Sequence, residues 1–291
     1  LAPAFLLGAV TPFAIKLSAK SMKTIGQTAG NLYSLSTVGS IFGTFVTTFI
    51  LVPIVGVDII LYSISIILII SAIVGISKQI KVIAIILICI SMYSAVFVQA
   101  PLAGIVFEKD TQYHRLLVHD DSVTNIRTLI LDNNFHSAMD LEDRHRIVYE
   151  YTKYFHLGLL FTNDAQDVLF IGGGGFSAPK KFHADYPEMN IDVVEIDKDV
   201  VSAGEEFFFV PQDERLEITT DDGRIFLRKT DKKYDIIVLD AYDKTYVPFH
   251  LMTREFHQLV SEHLTDDGVL ISNIITSIDG DSATLFLSEL K

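Results

Sequence analysis

The 291-residue chain has one cysteine, Cys89, and it lies in an apolar run. That excludes a disulfide within the chain and any cysteine-based metal site. Acids are almost missing from the first 100 residues, where Asp58 stands alone against Lys16, Lys20, Lys23, Lys78 and Lys81, a net of +4. Charge of either sign is absent from residues 32–57, 59–76 and 82–98. A bilayer span takes about 17–25 apolar residues, so these three runs are expected to be transmembrane helices and residues 1–15 the remnant of another. A cleaved signal peptide would be a single run, so several in succession exclude it. Intramembrane charge, the usual pointer to a transport pathway, is also missing. With the whole chain at −13, the remaining 191 residues carry −17. That surplus argues against nucleic acid, whose phosphates it would repel, and favours cationic small molecules.

What is present falls into three parts: 1–99 in the membrane, 100–143 as a small β domain, and 144–291 as an α/β domain. Residues 105–108, 113–119 and 126–131 alternate like antiparallel strands, with polar turns between them. From 144 to 161 apolar residues recur at helical spacing. His114, His119, His136, His145 and His156 form no paired ligand motif, so no metal is expected. Beginning with Leu and ending in a helical pattern, the chain is expected to be a fragment at both ends.

Residues 167–197, DVLFIGGGGFSAPKKFHADYPEMNIDVVEID, organise the rest. An apolar β-prone run ends in Gly172, Gly173, Gly174 and Gly175; room for one helix follows, then a second run ending in Glu195 and Asp197. Such a crossover joins parallel strands, and glycines at its first turn let backbone approach a ligand. Further strands at 216–219, 234–239 and 268–275 alternate with helices at 199–208, 224–229 and 253–264. The expected fold is a Rossmann-like, doubly wound parallel sheet. In such sheets ligands bind beyond the carboxyl ends of the strands. There stand the glycines, Glu195 and Asp197, then Asp221, Asp222 and Gly223, then Asp240 and Asp243. The Gly turn is not a clean dinucleotide fingerprint, because Ser177 stands where the third glycine belongs. A sulfonium nucleoside suits the acids better: Glu195 at the ribose, Asp222 at the adenine amino group, Asp240 near the sulfur.

In order and spacing, EKDTQYHRLLV at 108–118, RTLILD at 127–132, FIGGGG, VVEID, TDDGR, YDIIVLDAYD and VPFHLMTREF at 247–256 resemble the spermidine synthase (polyamine aminopropyltransferase) family. The likeness is strongest to members that carry membrane helices before the catalytic domain. It implies transfer of the aminopropyl group of decarboxylated S-adenosylmethionine to an amine such as putrescine, without a metal. By resemblance Asp240 is the base and Asp243 holds the cationic amine. Tyr149, Glu150, Tyr151 and Tyr242 line the amine pocket, and His114, the glycines, Glu195, Asp197, Asp222 and Gly223 hold the cofactor. Three positions depart from the family pattern. Gly175 replaces an acid that clasps the amino end of the aminopropyl chain, His114 replaces Gln, and Val148-Tyr149-Glu150 replaces Tyr-Gln-Glu. The first departure widens the expected cofactor to ordinary S-adenosylmethionine and keeps a methyltransferase as the alternative, with a non-catalytic membrane sensor as a second. Expected partners are the amine, the bilayer and a second copy of the chain in a homodimer. Lysine loops on the cytoplasmic side would put the acidic domain outside, whereas a cytosolic cofactor calls it inside; the cytoplasmic face is the expectation.

Overall fold

A computed structural model describes residues 2–19, 21–75, 103–241 and 248–275. The span expected at 82–98, Cys89, Tyr242 and Asp243 lie outside them. The chain divides into two compact units, Leu1–Ile86 and Leu87–Lys291.

In the first unit α1 (Ala2–Ser18) is followed by α2 (Ile25–Val46), a π-helical turn (Thr47–Leu51) and α3 (Val52–Gly75). The runs 32–57 and 59–76 were expected as separate spans, but the backbone stays helical from Val52 to Gly75, across their boundary. Pro53 brings no N–H for the carbonyl of Phe49, and the ladder widens at that place instead of breaking. The segment Ile25–Leu51 is long and apolar enough to cross a membrane, with mean hydropathy 1.5; Ile59–Ser71 is a shorter apolar stretch. Large side chains such as Phe42, Phe49 and Ile54 are exposed along these helices. The hydroxyls of Thr37, Thr44, Ser63, Ser65 and Ser71 turn back onto carbonyls four residues earlier, at 2.7–2.9 Å. Polar groups satisfied inside their own helix are what hydrocarbon surroundings demand.

The second unit opens with an antiparallel meander, β1 (Ile105–Asp110), β2 (Arg115–Asp121), β3 (Ile126–Leu131) and β4 (Asn134–Asp140). β4 was not expected. Asp132 and Asn133 both take positive φ, the two-residue hairpin turn that folds β4 back so that Leu131 faces Asn134. Where a helix was expected over 144–161, a 3-10 helix runs only from Glu150 to Leu160, and Ile147 bridges to Met139. Asp140 and Asp143 accept from the N–H groups of Glu142, Asp143 and His145, which competes with helix formation.

There follow β5 (Asp167–Ile171), α4 (Ser177–Asp185), β6 (Asn190–Glu195), α5 (Lys198–Phe207), β7 (Leu216–Thr220), α6 (Gly223–Lys229), β8 (Tyr234–Leu239), α7 (Arg254–Glu262) and β9 (Leu264–Ser272). The strands form a parallel sheet in the order β7-β6-β5-β8-β9. Alternate residues of the central strands supply its two faces. Val168, Phe170, Val193, Ile236 and Val238 pack with Phe155 and Phe182 on one side. Leu169, Ile171, Val194, Ile237 and Leu239 pack with Leu227, Phe256 and Val260 on the other. Burying each such side chain contributes roughly 1.5–3 kcal/mol. The meander joins through a third cluster, in which Leu116, Val118 and Leu129 meet Val200, Ala203 and Phe208.

Candidate active site

The strand order reverses between β5 and β8, and that switch point is where a doubly wound sheet opens a crevice. Gly172 makes the turn out of β5. Its φ is +101°, its N–H donates to the Val194 carbonyl at 2.9 Å, and a Cβ there would sit 2.3 Å from the Asp240 carbonyl oxygen. A cavity of about 1150 Å³ lies over this crossing. Among the residues expected at the site, His114, Tyr149, Glu150, Gly172, Gly173, Gly174, Glu195, Asp222, Gly223 and Asp240 all line it. Its described wall carries six carboxylates (Asp132, Glu150, Glu195, Asp221, Asp222 and Asp240) and neither lysine nor arginine. Tyr113 on the same wall registers the field: burial first, then the charges of Asp197, Asp222 and Glu195, hold its hydroxyl above the usual value.

Asp240 stands on this wall just beyond the end of β8. Burial pushes its carboxyl above the usual range, while hydrogen bonds from Asn273 Nδ2 to Oδ1 at 2.8 Å and from the Tyr151 hydroxyl to Oδ2 at 3.3 Å oppose the rise. Tyr151 stacks on Tyr149, 6.5 Å between ring centroids, and desolvation raises both phenols. Glu150 stands at the rim, its carboxylate 2.7 Å from Lys153 and largely exposed. Asn273 was missed in the sequence because the strand there was expected to run to residue 275; β9 ends at Ser272, which places Asn273 at a strand end.

Glu195 also clasps the turn. Its Oε2 accepts from the N–H groups of Gly173 and Gly174 at 2.9 and 3.1 Å, and Oε1 from the Asp197 N–H at 3.1 Å. Asp197 itself does not line the cavity. It is buried, caps α5 through the Asp199 N–H, and accepts from the Thr111 hydroxyl, whose oxygen in turn holds the N–H groups of Tyr113 and His114. It therefore positions the meander's first hairpin. Asp222 caps α6 through the Ile225 N–H at 2.9 Å and pairs with His250 Nε2 at 2.8 Å. His114 Nδ1 lies 2.7 Å from Asp132. His250 and Asp132 were also not anticipated as site residues, and each stands far in sequence from its partner's motif.

A parallel sheet of this order, with a glycine turn and an acid at each neighbouring strand end, is the Rossmann-like, doubly wound arrangement expected from the sequence. Residues 149–276 match the family model described as the spermine/spermidine synthase domain. A polyamine aminopropyltransferase of Vibrio vulnificus (strain CMCP6) is 36% identical over 151 residues, half of this chain and half of that protein. A probable polyamine aminopropyl transferase of Bifidobacterium longum (strain NCC 2705) is 36% identical over 121 residues, 42% of this chain and 27% of that protein. The chain thus spans half or less of the length of these two relatives. Among solved structures, a spermidine synthase in complex with the transition-state analogue AdoDATO aligns over 64% of this chain and 62% of its own, at 21% identity and TM-score 0.54. A probable spermidine synthase from Corynebacterium glutamicum ATCC 13032 aligns over 60% and 64%, at 23% identity and TM-score 0.52. These structural likenesses establish the fold.

Proposed function

We propose that the second unit transfers the aminopropyl group of decarboxylated S-adenosylmethionine to an amine such as putrescine, releasing methylthioadenosine. The observation that carries this reading is the cavity wall, six carboxylates without a lysine or arginine among its described residues. Such a wall suits two cationic reactants and repels anionic ones. The chain's own groups fit the nucleoside: the Glu195 and Asp222 carboxylates line the hollow as acceptors, and the bare glycine turn admits a ligand against its backbone.

Asp240 is the base. The amine nitrogen gives its proton to the Asp240 carboxylate and attacks the carbon beside the sulfonium; the C–N bond forms, the C–S bond breaks, and its electron pair returns to sulfur. Positioned proton transfer of this kind is worth about 10²–10⁴-fold. Tyr151 and Asn273 fix the carboxylate's orientation, and Tyr149 and Tyr151 supply aromatic faces for the amine's methylenes. Asp243 and Tyr242 belong to the same proposal, in which the second acid holds the far end of the amine.

The full chain in detergent, given decarboxylated S-adenosylmethionine and putrescine, is expected to release methylthioadenosine and an aminopropylated amine, read by mass spectrometry. Methylated amine and S-adenosylhomocysteine from the ordinary cofactor instead would assign the site to methyl transfer. We also assign the first unit to the bilayer, with the catalytic unit on the cytoplasmic face and a second copy of the chain as partner. The apolar segment Ile25–Leu51 and its exposed side chains support the anchor. Retention in membranes after alkaline extraction checks it, and release of the chain by that treatment would overturn it.

A further inference from the structure

The glycine turn spans a fixed interval on the cavity floor. At its start Gly172 abuts Asp240, and at its end Gly175 abuts Ser137 of β4. A Cβ built on Gly175 would stand 2.7 Å from Ser137 Oγ and 2.8 Å from its Cβ, so residue 175 can present no side chain and Ser137 forms the wall in its place. Ser137 is buried, with 7% of its surface exposed, yet it faces the cavity.

The hydrogen bonds around it have one direction. Ser177 Oγ donates to the Ala138 carbonyl at 3.0 Å, so its proton is committed. In the 2.8 Å contact between the two serines, Ser137 is therefore the donor and Ser177 the acceptor. With its own proton spent, Ser137 offers the cavity only lone pairs, and a hydroxyl that donates into a chain becomes a stronger acceptor. It can receive N–H from an ammonium; it has nothing to give a carboxylate. The neighbouring acid, Asp132, already holds His114 and the Arg115 N–H.

Resting on the function proposed above, we propose that Ser137 accepts a hydrogen bond from the terminal ammonium of the transferred aminopropyl chain, and so selects a cofactor tail that ends in an amine without a carboxylate. The two ends of the turn then serve the two ends of the tail, Asp240 at the reacting carbon and Ser137 at the nitrogen. The hydroxyl does neutrally what a carboxylate at position 175 would do with charge.

The test compares two nucleosides that differ at this tail. For the full-length protein in detergent, Ser137→Ala is expected to weaken decarboxylated S-adenosylmethionine by about tenfold to a hundredfold, the loss of one hydrogen bond to a charged group. Binding of methylthioadenosine, which has no ammonium, should stay within about twofold of the wild type on the same scale. The loss should appear in KM for the decarboxylated cofactor, with kcat and the KM for putrescine little changed, and Ser137→Thr should restore it. Equal weakening of both nucleosides, or no weakening of either, would overturn the role of Ser137 while leaving the aminopropyl reading intact. A wild-type protein that binds neither nucleoside would instead sink that reading.

Discussion

In the proposed reaction Asp240 serves as a base because its surroundings disfavour its charge. Burial raises its folded pKa above the ordinary value of about 3.9, so the rate is expected to fall on acidification at a higher pH than an exposed carboxylate would give. Asn273 and Tyr151 donate to the ionised form and hold the shift back. Removing either donor, by Asn273→Ala or Tyr151→Phe, should move the acid limb of kcat against pH further upward; a limb that moves down or stays would refute this account of the two donors. The same desolvation has a stability consequence. A carboxyl whose folded pKa is raised contributes stability below its unfolded pKa and loses it as pH rises through the folded value. At neutral pH the Asp240 charge is therefore a cost, and Asp240→Asn should abolish turnover while raising Tm by a few degrees in differential scanning. A lowered Tm would mean that the ionised carboxylate helps to hold the fold.

At the scale of elements, the glycine turn carries the most demanding geometry in the site. Gly172→Ala forces a residue at φ +101° to place its Cβ 2.3 Å from the Asp240 carbonyl. Strain and clash together should cost on the order of 2–4 kcal/mol in chemical denaturation. Gly174 also has positive φ, +49°, but its Cβ would meet only Ser137 Cβ at 3.9 Å, so Gly174→Ala should cost roughly 1 kcal/mol. Equal costs at the two positions would show that contact with Asp240 is not what fixes the turn. This turn was legible in the sequence because glycines followed directly on DVLFI, and β5, β6 and β8 were legible because VLFI, VV and IIVL are buried on both faces. β4 was not, since NFHSAMD has no β-branched residue and is held by the turn before it. The helix expected from residue 144 gives way to local turns in which Asp140 and Asp143 hold the N–H groups of residues 142, 143 and 145, a competition that apolar spacing does not register. Ser137 and His250 escaped for another reason: their meaning comes from Ser177 and Asp222, 40 and 28 residues away.

For the whole molecule, charge is segregated along the chain: +4 on residues 1–100 and −17 on the remainder. Within the second unit part of that surplus is turned inward, onto a wall with six carboxylates and no described lysine or arginine. Several of these acids are already engaged, Asp222 with His250, Asp132 with His114 and Asp221 with Lys229. Among the described residues Glu195 and Asp240 have only hydrogen-bond donors on them, so their charge is not cancelled locally and extends into the hollow. Attraction of a doubly charged amine to such a wall is screened over about 10 Å at 0.1 M salt. The KM for putrescine is therefore expected to rise severalfold as sodium chloride goes from about 20 to 200 mM, with kcat little altered. Methylthioadenosine, uncharged near neutral pH, should bind equally well at both ends of the series. A KM for the amine that stays flat would show that its capture depends on short-range contacts alone, and one that falls with salt would show that the field at the mouth has the opposite sign.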